Sequence, residues 1–233
     1  MSLLGRGVVA IWHGLKEEGR RNFYEWHNGE HMPERCGIAG FVRGRRYHDG
    51  KDPGELFTLY ETLDIDVLTS PAYLERLNAP TPWTVESIRA FTNLSRALAE
   101  VAFTRATGDG TVLRVLRFDV AADDAADVQG RLVERLQKIR LVDGVVGVHL
   151  CATKFDASAV QSVEKKDQVQ IRPAAWTVLI EYGAQLQDAG ADHPLMADLF
   201  GGEPAISGLQ SNVFHLQYQV LGVELTGPRT ETR

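Results

Sequence analysis

The chain has 233 residues, enough for one large domain or two small ones. Its 44% apolar and 24% charged residues are those of an ordinary soluble globular protein, and its net charge of -6 argues against phosphate-driven binding to nucleic acid and against anionic membranes. No apolar run approaches the ~20 residues that cross a bilayer and no secretory leader is evident, so a cytoplasmic location is the default expectation.

Val8 to Trp12 is a short β-branched and aromatic run, as expected of a strand. Glu17 to Arg35 is polar with spaced large residues, which fits a helix with one buried stripe, ended by Gly37 and Gly40. Phe41 to Tyr47 reads as a second strand, "HDGKDPGE" as a hairpin loop, and Leu56 to Thr62 as a third strand. Ser70-Pro71 pairs a capping side chain with a proline suited to the first helical position, so a helix is expected over Pro71 to Asn78. Two prolines in "APTPWT" interrupt it. A second helical piece is expected over Val85 to Thr92 and a fourth strand over Arg96 to Thr104.

The same order follows again. Strands are expected over Thr111 to Val120, Val145 to Ala152, Trp176 to Tyr182 and Val213 to Leu221, with helices over Asp124 to Arg140 and His193 to Phe200. The insertion near 153–173 is charged and lacks apolar periodicity, which suggests an exposed loop. The two β-α-β-β-α-β halves align at their turns: "IAGFVRGRRY" resembles "LVDGVVGVHL", placing Gly40 against Gly144. The fold class expected is α+β. Two tandem ferredoxin-like repeats, 1–107 and 108–233, would pack their antiparallel sheets face to face as an intrachain α/β barrel.

The doubled pattern, with His31-Met32-Pro33 ahead of Ala39-Gly40-Phe41, resembles the dimeric α/β-barrel superfamily and within it the EthD-like group. That group typically carries H-x-P at the end of the first helix. The resemblance implies small-molecule chemistry, with relatives that range from cofactor-free monooxygenases to haem-dependent enzymes. At the matching place the second half holds Arg135, Leu136 and Gln137, so any site marked by the motif occurs once per chain.

His27-x-x-Glu30-His31 matches an inverted zinc-protease motif in spacing. Asn28-Gly29 is a poor helix interior, Pro33 follows closely, and no third ligand is evident, so no metal site is expected. The two cysteines, Cys36 and Cys151, are too few for a thiolate site. Nor is any dinucleotide, phosphate-loop or nucleophile-elbow motif present, so no cofactor is assigned. A second reading makes His31 a pocket acid/base, with His27 and Glu30 as further catalytic candidates. A third makes His31 a cap on its helix.

Strand alternation places Val9 with Ile11 and Phe57 with Leu59 toward the helices, leaving Trp12 and Tyr60 for a barrel interior. The Arg43, Arg45 and Arg46 cluster reads as a solvated strand edge. His149 and His215 are secondary candidates for binding substrate. The leading expectation is an enzyme acting by proton transfer on a hydrophobic or aromatic metabolite, with a cavity of roughly a few hundred Å3 beside His31. A non-catalytic ligand-binding or structural barrel, or a haem- or metal-binding one, are the alternatives. A homodimer is left open.

Overall fold

A computed structural model of the chain describes residues 3–139, 144–160, 162–165, 169–183, 194–203 and 205–222. Its contacts divide it into two compact units. The N-terminal unit holds Leu4–Glu100, Lys154–Pro173 and the chain from Leu216 onward. The C-terminal unit holds Val101–Thr153 and Ala174–His215. Among the described residues no helix is long and apolar enough to cross a membrane.

In the N-terminal unit, β1 (Gly7–Leu15) lies between β3 (Glu55–Thr62) and β4 (Phe91–Ala106), and β2 (Phe41–Asp49) flanks β3. All three pairings are antiparallel. Helical residues run through α1 (Arg20–Trp26), a π-helical turn over His27–His31, and α2 (Met32–Cys36), then α3 (Pro71–Asn78) and α4 (Pro82–Ser87). In the C-terminal unit, β5 (Val112–Val120) lies between β8 (Trp176–Tyr182) and β9 (Ile206–Leu221), and β6 (Val145–Thr153) flanks β8. The helix α5 (Ala125–Lys138) places Val128, Leu132 and Leu136 in that unit's core. Its C-terminal helix α7 (Pro194–Phe200) adds Leu199.

The two capped helix starts follow one rule. Ser70 Oγ accepts from Tyr73 N at 3.3 Å and Thr81 Oγ1 from Thr84 N at 3.0 Å, each just before a proline that supplies no N–H of its own. The second of these was legible as Thr81-Pro82, although the expected helix there began three residues later, at Val85. That expected helix also ran too far. Phe91 and Thr92 already belong to β4, where Phe91 pairs with Leu15.

Two other expectations are corrected. The insertion is not structureless: it forms α6 (Phe155–Ala159) and β7 (Gln170–Ile171), the latter parallel to β4. Leu98 N donates to Ser158 Oγ at 2.9 Å and Lys154 N to Leu98 O at 2.8 Å, so the start of the insertion is tied to β4. The arginines of β2 are buried, not a solvated edge. Arg43 meets Glu61 at 2.8 Å and Arg45 meets it at 3.0 Å, so one carboxylate offsets two guanidinium groups. A bulge between Phe41 and Arg43 puts Phe41 on the face that also carries Arg46, opposite Arg43 and Arg45. Of the other expected elements, Arg140 and His193 lie outside the described residues.

Candidate functional site

The chain does not stop being helical at Asn28-Gly29. Backbone angles stay helical from Trp26 through Met32, but the turn widens, and Met32 N donates to the carbonyl of His27. The next carbonyl, that of Asn28, would need the N–H that Pro33 lacks. Tyr218 Oη supplies the donor instead, at 3.3 Å. The widened turn carries His27 and His31 inward, both buried, with ring centroids 5.5 Å apart. Single π-turns of this kind recur at functional sites.

Both histidines border a cavity of about 60 Å3 between the sheet and the helices of the N-terminal unit. That is room for roughly five water molecules at 10–15 Å3 each. It is narrower than the few hundred Å3 expected, because Trp26, Phe41, Tyr73 and Phe91 crowd its walls. Its floor is the helix-facing side of the sheet. Register decides which residues these are: Val9 pairs with Tyr60, and Ile11 with Thr58 on one side and Arg96 on the other. His13 follows on the same face.

Three imidazoles therefore look into one cavity, and burial holds each neutral. It pulls His13 down to about 4, against a weaker lift from the Gly14 carbonyl. It pulls His27 and His31 well below their ordinary value, with Arg35 adding to both. The hydrogen bonds fix two tautomers. Arg46 can only donate, so His27 Nδ1 accepts from it at 3.0 Å and the ring proton sits on Nε2. His13 Nδ1 donates to Gly14 O at 3.0 Å, which leaves its Nε2 as an acceptor. His31 is different. It stacks near Trp26 at 4.3 Å, and its buried Nδ1 has no partner.

Other buried polar atoms are left in the same state around this cavity: Thr58 Oγ1, Tyr60 Oη and Arg96 Nη1. An unpaired buried polar group costs ~1–3 kcal/mol, so four converging on one space is a costly way to build a core. Burial also raises the Tyr60 phenol well above its usual value, so it stays a neutral donor. One wall is closed by Arg35, which pairs with Glu164 from the insertion.

The remaining candidates lie elsewhere. Trp12 is on the opposite face of β1, stacked on Phe57 at 5.0 Å, because the register pairs these two residues. Glu30 does not orient His31: it accepts from Thr81 Oγ1 at 2.6 Å and so serves the start of α4. His149 and His215 belong to the C-terminal unit, where His149 is buried against Thr104 at 2.7 Å and His215 lies half-buried on β9. Sequence reasoning missed His13 and Arg96. The alternation Val9, Ile11, His13 carried the first signal, and the pairing partner of Ile11 carries the second. Among the described residues no three His, Cys, Asp or Glu side chains come together as a metal-ligating group.

No protein-family model matches the chain, and no curated protein does. Solved structures do. An anthrone oxidase-like protein matches with a TM-score of 0.63 at 9% identity, covering 95% of both chains. A protein provisionally assigned as a monooxygenase, from Fusobacterium nucleatum subsp. nucleatum, matches at 0.55 and 12% identity, over 94% of this chain and 95% of that one. A haem-binding protein from Thermus thermophilus matches at 0.52 and 12% identity, over 94% and 93%. The chain thus shares the fold of these proteins, and at these identities the likeness is one of fold alone. A porphyrin macrocycle is many times larger than the cavity bordered by His13, His27 and His31, so these residues as arranged do not fit a haem.

Proposed function

We propose that the N-terminal unit is the active site of a small-molecule enzyme that transfers a proton on a hydrophobic or aromatic, oxygen-bearing metabolite, with His31 as acid/base. The observation that carries this reading is that the unpartnered Nδ1 of a buried, neutral His31 lines the same cavity as the unpartnered hydroxyl groups of Thr58 and Tyr60. A neutral imidazole has a free lone pair to accept a proton at neutral pH, though one with its pKa lowered by burial is a weaker base than an ordinary histidine. The Tyr60 phenol and the Nε2–H of His27 are donors for the oxygen on which charge develops when a neighbouring C–H or O–H is lost. The imidazolium formed on His31 lies near Arg35 in a dry site, which favours prompt return of the proton.

Several finer points belong to the same reading. The H-x-P at His31 supports an EthD-like assignment. The matching strand orders, β4-β1-β3-β2 and β9-β5-β8-β6, support a tandem duplication with halves 1–107 and 108–233. A small-molecule ligand, a cytoplasmic location and a homodimer are part of it. A binding-only barrel is favoured by one fact, the narrowness of the cavity.

Solvent-deuterium exchange separates the two. Ketones and phenols would be incubated with the protein in D2O and followed by NMR. Catalysed exchange at one of them is expected, and His31→Ala should slow it by about 10²-fold or more, the usual contribution of a positioned acid/base. His149→Ala, in the other unit, should leave it unchanged. Exchange that survives His31→Ala, or an absence of exchange with any ligand that binds, would leave the binding-only reading.

A further inference from the structure

Arg96 is a buried cation whose partners are all neutral. It is 8% exposed. Its Nη2 donates to Tyr73 Oη, and its guanidinium lies 5.9 Å from the centre of that ring. Its Nη1 has no partner, and among the described residues no carboxylate pairs with it. The neighbouring arginines are handled differently. Arg35 meets Glu164, and Arg43 and Arg45 share Glu61. Arg46 also lacks a carboxylate, but it bonds to His27, Asn28 and Gln217 and lies over the rings of Phe23, Tyr24 and Tyr218. Arg96 alone of these is left with an open donor aimed into a cavity.

A buried guanidinium without a counter-charge is costly to keep, and a planar fork with free N–H groups matches a carboxylate. We infer that Arg96 anchors the carboxylate of a small anionic substrate, an inference that rests on reading this cavity as a substrate site. The cavity wall is otherwise charge-balanced, since Arg35 and Glu164 pair and the imidazoles are neutral. The bound anion would therefore complete the charge balance of the site.

The rest of the floor narrows the class. Thr58 and Arg96 flank Ile11 on the two neighbouring strands, so their backbones stand roughly 10 Å apart. A carboxylate at Arg96 leaves Thr58 and Tyr60 to meet a second oxygen at the other end of the molecule. Space for roughly five water volumes suits a short chain between them. The substrate class is a short oxo- or hydroxy-carboxylic acid with a small apolar body.

Calorimetric titration with 4-oxopentanoate, whose keto oxygen lies toward the end away from the carboxylate, and with its neutral amide tests this. The acid should bind the wild-type protein at least about tenfold more tightly than the amide. Arg96→Met should abolish that preference and Arg96→Lys should keep most of it. The melting temperature of the ligand-free Arg96→Met protein should be unchanged or higher, since an uncompensated buried charge is removed. Equal binding of acid and amide, failure of the acid to bind, or a preference that survives in Arg96→Met would each overturn the inference. His31→Ala separates it from the proposed function. That variant should lose proton exchange yet keep the preference for the acid. Exchange independent of His31, with the preference still dependent on Arg96, would sink the acid/base role and leave the carboxylate anchor standing.

Discussion

At the strand position where His13 enters the cavity of the N-terminal unit, the C-terminal unit carries Phe118. The register makes the match, since His13 pairs with Leu56 and Phe118 with Trp176, the counterparts in the two aligned strands. By the same register Thr58 corresponds to Val178 and Tyr60 to Ile180. Where the first unit places a histidine and two hydroxyl groups under its helices, the second places three apolar side chains. Its helix contributes fully buried Leu136 at the level where the alignment sets the H-x-P motif. Both units keep a glycine with positive φ at the turn into the second strand, Gly40 at 88° and Gly144 at 92°, and both bulge just beyond it. The turns are what this fold demands of its backbone. The histidine and the two hydroxyl groups of one unit are not demanded by it, since the other unit does without them at the matching positions, where its one buried polar side chain on that face of β5 is Arg114.

The pH dependence of stability should show this difference most strongly. His13, His27 and His31 stay neutral in the folded protein because burial lowers their pKa, His13 to about 4. The unfolded chain protonates them near the ordinary histidine value of about 6.5. Their native neutrality therefore costs nothing above that pH, and stability falls as pH drops from about 6.5 toward 4. Each histidine contributes a slope of ~1.4 kcal/mol per pH unit, so the three together give roughly 4 kcal/mol per unit at most. Urea unfolding at pH 7 and pH 5 measures it. His13→Phe, which copies Phe118, should remove about a third of the slope. An unchanged slope in that variant would break the account of His13.

Leu136→Ala should cost ~2–5 kcal/mol, the range for emptying a fully packed leucine site. His31→Ala, one residue before Met32, the counterpart of Leu136, should cost distinctly less, because it also removes an unpaired buried nitrogen. Equal losses in chemical denaturation would mean that His31 is packed as a structural residue.

Much of the fold was legible in residues whose local chemistry has one outcome. Ser70-Pro71 marked the start of α3, and the run Trp176 to Tyr182 was found with its limits correct. The site was legible only in part, for a physical reason. Both faces of β1 and β3 are buried, so hydropathy does not reveal which face meets the helices. Trp12 and Tyr60 were both expected in one interior, whereas pairing puts Trp12 with Phe57 and Tyr60 with Val9 on opposite faces. Charge misled twice. Arg43 and Arg45 are buried with Glu61 between them, and the insertion's Glu164 pairs with Arg35. In each case the partner lies far away in sequence, where no local pattern records it.

The smallest expected effects come from exchanging one residue pair between the units. Val178→Thr buries a hydroxyl in an apolar core and should cost ~1–3 kcal/mol. Thr58→Val is the reverse change. Thr58 is 1% exposed and its hydroxyl has no partner, so the variant loses no hydrogen bond. It should therefore be neutral or stabilising by ~0.5 kcal/mol, while weakening any ligand whose oxygen bonds to that hydroxyl. The opposed signs of stability and binding are what separate a residue kept for a ligand from one kept for the fold. A Thr58→Val protein that unfolds at lower urea and binds 4-oxopentanoate as tightly as the wild type would place Thr58 among the structural residues and shrink the candidate site to His31, Tyr60 and Arg96.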